Sequence, residues 1–280
     1  MSFTLHNISK ELNQRMKPAL HAAGLHLTIS IGIALSIGFL ISQYWFKPPW
    51  LEIMSGVELF TIIVGVDVVC GPLLTLLIFN PKKSTTEKYT DFLLIGLIQL
   101  AALAYGLHTL SYARPIAIVH ETDRLRVLSY AELEQSEADD APSWAKPWGS
   151  INPRFIGIRP ATSIEEKLKR IDDALQGIEP SQRPSLWQDY SLSTSAIISR
   201  SLPLELLYKI HPSASKEITS AVQKITSQAR SEEVDQQSLS AQSIRWLPVV
   251  SQRQNNWVAL INPKSGKPMQ YLHLDGFQNP

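Results

Sequence analysis

Three apolar runs in the first 112 residues constrain this chain more than any other feature, because each approaches the roughly 20 residues a helix needs to cross a bilayer's hydrocarbon core. Leu25 to Phe46 holds no Asp, Glu, Lys or Arg across 22 residues. Phe92 to Leu110 holds none across 19, with Gln99 and His108 its most polar members. The middle run, Val57 to Phe79, carries Glu58 near its start and Asp67 near its centre. A central Asp costs about 2.5 to 3.5 kcal/mol on the insertion scale, while each Leu, Ile, Phe or Val returns about 0.3 to 0.6. Thr61 to Phe79 contains twelve such residues, giving roughly 4 to 7 kcal/mol in favour. The helix therefore inserts with its aspartate. The reading is a cytoplasmic tail over 1–24, a membrane domain over 25–112 with spans at about 25–46, 57–79 and 92–110, and an exported domain over 113–280.

The averages hide this division. Among 280 residues, 26 Lys+Arg nearly balance 25 Asp+Glu, and 44% are hydrophobic, which is ordinary for a globular protein. Those numbers exclude a strongly basic nucleic-acid binder, an acidic disordered tail and a disulfide scaffold. Membrane lipids are the expected surroundings, and no nucleic-acid partner is. Only 13 of the charged residues fall in the first 112 positions; 38 fall in the remaining 168.

The first run is longer than the ~7 to 15 residues of a signal-peptide core and is followed by no A-x-A-like cleavage site. Trp45, Lys47, Pro48, Pro49 and Trp50 mark its end as a membrane interface instead. Lys10, Arg15 and Lys17 precede the first span, Lys47 alone follows it, and Lys82, Lys83 and Lys88 follow the second. The positive-inside rule then keeps the N-terminus and second loop in the cytoplasm, and places the first loop and C-terminal domain outside. Arg114, Arg124 and Arg126 oppose this weakly, since long exported domains cross largely regardless of charge. Leu5, Ile8, Leu12 and Met16 fall at helical spacing and suit either a short interfacial helix or a frayed tail.

Within the spans, Ser30, Ala34, Gly38 and Ser42 form a ridge of small residues, and Ala102 with Gly106 repeats the spacing on the third helix. Small ridges let helices approach closely, either within this bundle or with a partner's transmembrane helix. The second span contains Asp67, Gly71 and Pro72. Pro72 predicts a kink and deprives the Val68 carbonyl of its helical donor. An ionisable group at mid-bilayer is a candidate functional residue. Asp67 could bind a cation, relay a proton or hold a partner helix; equally, it could be a protonated acid bonded to Gln99 or Tyr105. Cys70, the only cysteine, forms no intramolecular disulfide and is expected to pack.

Beyond the third span the periodicity changes. Pro115–His120 and Leu125–Ser129 read as a hairpin, Phe155–Arg159 as a strand, and Glu132–Pro153 as a loop with one helical turn. Thr162 and Ser163, each three residues before Glu165 and Glu166, open a helix with Ile164, Leu168, Ile171 and Leu175 on one face. Pro184–Ser201 shows no period. Leu204–Ile210 and Ser213–Arg230 read as helices, and Arg245–Val250, Trp257–Asn262 and Met269–Leu274 as strands. Pro248 assigns the first of these strands to a sheet edge, and Pro263–Lys267 joins the other two. The fold class is thus a membrane protein with three transmembrane α-helices followed by a small α+β extracytoplasmic domain.

No catalytic motif accompanies it. There is no G-x-S-x-G, H-E-x-x-H, P-loop or dinucleotide turn. His120, His211 and His273 stand apart, and Glu165–Glu166 and Asp172–Asp173 read as solvated helix faces. Trp144, Trp148 and Trp187 suit a glycan or peptide surface, or a domain core. No enzyme, metal or cofactor is expected.

Met16-Lys17, Leu27–Ser30, Gly65–Val68, Gly71–Thr75 and Phe79–Lys82, followed by Gln99–Gly106, Ala113–Pro115 and Asp123-Arg124, resemble the TfpX/TfpZ type IV pilin accessory proteins. The resemblance covers roughly 17–130. It implies a bacterial inner-membrane protein that assists assembly, surface display or dynamics of type IV pili. Its implied partners are the major pilin and other pilus components. A pilin-modifying enzyme such as a glycan transferase, and a proton-coupled element using Asp67, are the alternatives.

Overall fold

The computed structural model describes residues 2–231 and 241–278, with side chains over 15–228 and 242–278. The chain divides into two compact units: 1–44 with 56–111, and 45–55 with 112–280.

The first unit contains three helices long and apolar enough to cross a membrane. They belong to α1 (Ser2–Tyr44), α3 (Gly56–Ile78) and α4 (Thr85–Ala113); a four-residue α2 (Trp50–Ile53) lies between the first two. Leu35, Phe39, Ile62, Leu77, Leu93 and Leu100 are exposed around the bundle, as expected where the surrounding solvent is hydrocarbon. The helices outrun their apolar segments. α1 is continuous from Ser2 through Pro18; the side chains of Leu5, Ile8 and Leu12 lie outside those described. α4 starts seven residues before Phe92 because Ser84 and Glu87 cap one another: Ser84 N donates to Glu87 Oε2 at 2.7 Å, and Glu87 N donates to Ser84 Oγ at 3.3 Å. That Ser-x-x-Glu signature is present in the sequence. Arg15 donates to the Leu77 and Phe79 carbonyls, covering acceptors that the end of α3 leaves without helical donors. Cys70 is exposed rather than packed.

The second unit is built on one mixed sheet of eight strands: β1 (Pro115–Glu121), β2 (Arg124–Ser129), β3 (Arg154–Ile158), β4 (Trp187–Asp189), β5 (Leu202–Pro203), β6 (Arg245–Val250), β7 (Trp257–Ile261) and β8 (Pro268–Leu272). Their order is β4-β3-β1-β2-β6-β7-β8, with β5 paired to β6. Helices α5 (Gln135–Ala138), α6 (Ile164–Leu175), α7 (Thr194–Arg200), α8 (Leu204–Ile210) and α9 (Ser215–Ser231) complete it. The closing hairpins form as the sequence predicts. The β7–β8 turn is fixed by Asn262 Oδ1, which accepts from Lys264 N and Ser265 N, and by Gly266 at φ 66°, a left-handed conformation that favours glycine.

Pro248 corrects the expectation of an edge strand. β6 is interior, with β7 along one side; on the other, β5 pairs 245–246 and β2 pairs 249–250. Pro248 falls between those two pairings, so its missing N–H interrupts neither. The segment without periodicity, 184–201, contains β4 and α7.

Two apolar clusters support the sheet. Leu207, Ile218, Ile225, Trp246, Val258 and Leu260 form one; Ile116, Val119, Leu128 and Ala145 lie in the other. Trp144 stacks on Trp187 at 5.7 Å, beneath Arg154, so this pair belongs to the fold. Arg114 is buried and donates to the Ser150 and Lys146 carbonyls. The loop after α1 folds with the same unit: Trp50 meets Tyr271 edge-on at 5.1 Å, and Ser251 Oγ donates to Ile53 O at 2.6 Å.

Candidate intramembrane site

The polar residues that the apolar helices carry meet inside the first unit. His26 Nε2 lies 2.7 Å from Gln99 Oε1, and His26 Nδ1 lies 2.6 Å from Thr75 Oγ1. Gln99 Nε2 donates to the main-chain carbonyl of Asp67 at 3.2 Å. This chain of contacts orients the amide. The Asp67 carbonyl can only accept, so the amide nitrogen of Gln99 faces it and Oε1 faces the histidine. His26 therefore donates from Nε2 to Gln99, and its Nδ1 shares a hydrogen bond with the Thr75 hydroxyl, which can donate or accept. His26, Thr75 and Gln99 thus each find a polar partner, which limits the cost of holding them in an apolar bundle.

Gly71 makes the arrangement possible. A Cβ there would stand 2.0 Å from Gln99 Nε2, so any other residue displaces the amide. Gly71, Pro72 and Thr75 are all buried. α3 runs unbroken through Pro72, and the donor from the neighbouring helix reaches the Asp67 carbonyl, one residue before the Val68 carbonyl that Pro72 deprives.

A cavity of about 200 Å³ lies alongside, lined by His26, Ser30, Ala34, Asp67 and Gln99 among apolar residues of all three helices. Asp67 is among the lining residues, and its carboxyl group has no hydrogen-bond donor among the described residues. Gln99 contacts only the main chain of Asp67, and Tyr105 is 74% exposed. Neither therefore supplies the internal partner weighed from sequence. The small residues separate into two sets. Ser30 and Ala34 face the cavity. Gly38 faces Phe60, whose ring would stand 2.8 Å from an added Cβ, and Gly106 faces Ile63 at 2.3 Å, so both serve contact between helices of this chain. Ser42 is half-buried and Ala102 exposed.

His26 was not among the residues singled out by sequence. Its signal was available: a histidine one turn before Ser30 on the same ridge, entering an apolar span. Among the described residues no three His, Cys, Asp or Glu side chains are grouped to hold a metal. In the second unit, His211 bonds to Asp275 O and His273 stacks on Trp257. Glu166 pairs with Arg159 and Arg170, and Asp173 pairs with Arg183.

Proteins of Dichelobacter nodosus are similar to this chain, two of them along nearly its whole length. The fimbrial assembly protein of serogroup I is 31% identical over 266 residues, 95% of this chain and 98% of its own length. That of serogroup E1 is 32% identical over 266 residues, with the same coverage. The fimbrial assembly protein of serogroups C1 and C2 is 40% identical over 128 residues, 46% of this chain and 98% of its own. No family model matches the chain, and no solved structure does.

Proposed function

The chain belongs to the family of fimbrial assembly proteins, and from that premise we propose that it is a non-enzymatic accessory factor of the TfpX/TfpZ type, acting on type IV pilin from the inner membrane. The observation that carries this reading is the cavity between the three helices. A carboxyl group without a donor and a wall of small residues, Ser30 and Ala34, form a receptor for a second helix inside the bilayer. The small wall allows close backbone approach, and Asp67 accepts a hydrogen bond or a positive charge from the incoming helix. Hydrogen bonds between membrane helices average about 0.6 kcal/mol and reach about 1.7. The contact is therefore weak enough to release a subunit for assembly.

The proposed orientation puts the N-terminus and the 79–84 loop in the cytoplasm and the second unit in the periplasm. It is supported by the folding of the 45–55 loop together with 112–280, since three spans leave these segments on one side. Asn80 to Lys88 contributes the cytoplasmic positive charge.

The test is a strain lacking the chain, complemented with wild type or Asp67→Asn at equal protein level. Surface pili fall in the deletion strain and return with wild type. Asp67→Asn lowers both pilus number and co-purification of pilin several-fold, while the intact mass of pilin stays the same in all strains. A mass change would replace this reading with a pilin-modifying enzyme. Full complementation by Asp67→Asn, with pilin still co-purifying, would overturn intramembrane docking. A defect present at only one end of the pH range would point to a proton-coupled element.

A further inference from the structure

Among the described residues of the second unit, two groups of large apolar side chains stay exposed. One is the stripe on α6, from Ile164 to Leu175, and nothing in the structure shows what covers it. The other is the loop between α5 and β3, where Trp148 is 57% and Ile151 44% exposed. The surroundings of this loop are set by the chain itself, because it is tied to the residues at which two spans end.

Trp45 follows Tyr44, the last residue of α1, and its ring meets that of Trp148 edge-on at 5.0 Å. Lys47 Nζ donates to Asn152 Oδ1 at 3.3 Å. Arg114 follows Ala113, the last residue of α4, and donates to the Lys146 carbonyl at 2.8 Å and to the Ser150 carbonyl. It lies four residues beyond Leu110, a rise of about 6 Å on a helix. The headgroup layer is about 5 to 7 Å thick on each side of the hydrocarbon core, so Arg114 falls within it. Trp45 belongs to the first apolar run, which ends at Phe46. A ring in contact with Trp45, on a loop held by Arg114, therefore stands at the membrane interface. Tryptophan is enriched there because its ring is apolar and its N–H polar.

The loop is also built to present that ring. Trp148 has φ 61°, a left-handed conformation that bulky side chains rarely adopt, and such outliers persist where the surroundings impose them, often at functional sites. Here Gly149 N donates to Lys146 O and Ser150 N to Trp144 O. A Cβ on Gly149 would stand 2.6 Å from Trp144 O and 2.8 Å from Lys146 O, so the turn closes too tightly for another residue. Neither 44–51 nor 142–153 contains Asp or Glu, so no carboxylate in these segments opposes contact with phosphate headgroups.

We propose that the loop over 146–151 is a membrane anchor: Trp148, with Ile151, enters the headgroup layer of the bilayer that the chain spans, beside Trp45, and fixes the second unit to the lipid surface. The anchor requires the spans but neither pilin nor a particular orientation, so it and the intramembrane site can each fail alone.

The test is depth-dependent quenching of the full chain in phosphatidylcholine nanodiscs without a partner protein. A bimane probe is placed on Ile151→Cys in a Cys70→Ala background, and nitroxide lipids carry the spin label either at the headgroup or at the end of the acyl chain. The headgroup label quenches the probe several-fold more than the chain-end label does, and about as strongly as it quenches the same probe on Tyr44→Cys at the end of the first span. Trp148→Gly keeps the loop, since glycine favours this φ, and lowers the quenching several-fold at a nearly unchanged melting temperature. Trp148→Tyr, which retains an amphipathic ring, preserves it. Quenching no greater than that of soluble bimane–glutathione would place the loop in water and overturn the proposal. Quenching that Trp148→Gly leaves intact would overturn it as well, since the ring would then not be what holds the loop in the lipid.

Discussion

At the scale of single residues, the membrane site depends on what Gly71 lacks. Gly71→Ala places a methyl group where Gln99 Nε2 stands. It breaks the two contacts of Gln99, to His26 and to Asp67 O, and lowers the stability of the detergent-solubilised protein by about 1 kcal/mol, two interhelical bonds at their measured worth. Gln99→Ala alone removes the same two bonds and should cost about as much, and Gly71→Ala added to it should cost little more, which thermal melting of the single and double variants checks. His120 governs a different condition. Its side chain is 6% exposed and its pKa falls from 6.5 to about 4 on folding, so between those values the unfolded chain binds the extra proton. The contribution of His120 is complete above about pH 6.5 and lost as pH falls toward 4, at most about 3 kcal/mol. His120→Leu should flatten the stability profile between pH 6.5 and 4.5, above the ordinary carboxylate range; an unchanged slope would remove His120 as the cause. Asp67, Gly71 and Pro72 stood out in the sequence because each is unusual in an apolar helix. His26 did not, because a lone histidine acquires meaning only when Thr75 and Gln99, on two other helices, are brought to its two nitrogens.

Among the elements, the longer helices were legible, α7 was not, and burial could not be read for any of them. The stripe on α6 has the period of a core-facing helix, but the local pattern contains no information about whether another element covers it. Leu168→Ser is therefore expected to change stability by less than about 0.5 kcal/mol, whereas Ile218→Ala on α9, fully buried, costs about 2 to 5. Denaturation of the two variants side by side checks the contrast. β6 shows the complementary limit. Proline within a strand normally signals an edge, but here β5 and β2 share one side of β6 and leave Pro248 between them, an arrangement set by long-range pairing. Arg114, which read as a weak topological signal, is a structural staple between carbonyls at 146 and 150. Arg114→Lys cannot reproduce that fork and should cost about 1.5 to 3 kcal/mol, measured in the same unfolding assay.

For the molecule as a whole, the division between a sparsely charged anchor and an evenly charged domain was plain in the sequence. The membership of 45–55 in the second unit was not, because the short run from Trp45 to Ser55 looks like a simple turn between spans until β8 supplies Tyr271 for Trp50. The proposed orientation predicts that Arg253→Cys, in a Cys70→Ala background, reacts with a membrane-impermeant maleimide added to the periplasmic side, while Lys83→Cys reacts only after lysis. The central claim is that pilin docks against the cavity between the three helices, and site-specific photo-crosslinking in native membranes tests it most directly. A photoreactive side chain at Ala34, which lines the cavity, should give an adduct with the major pilin that Asp67→Asn reduces several-fold. The same group at Leu35, which is 69% exposed and not among the cavity-lining residues, should give little. Equal adducts from both positions, or none from Ala34 in cells that still assemble pili, would contradict the account.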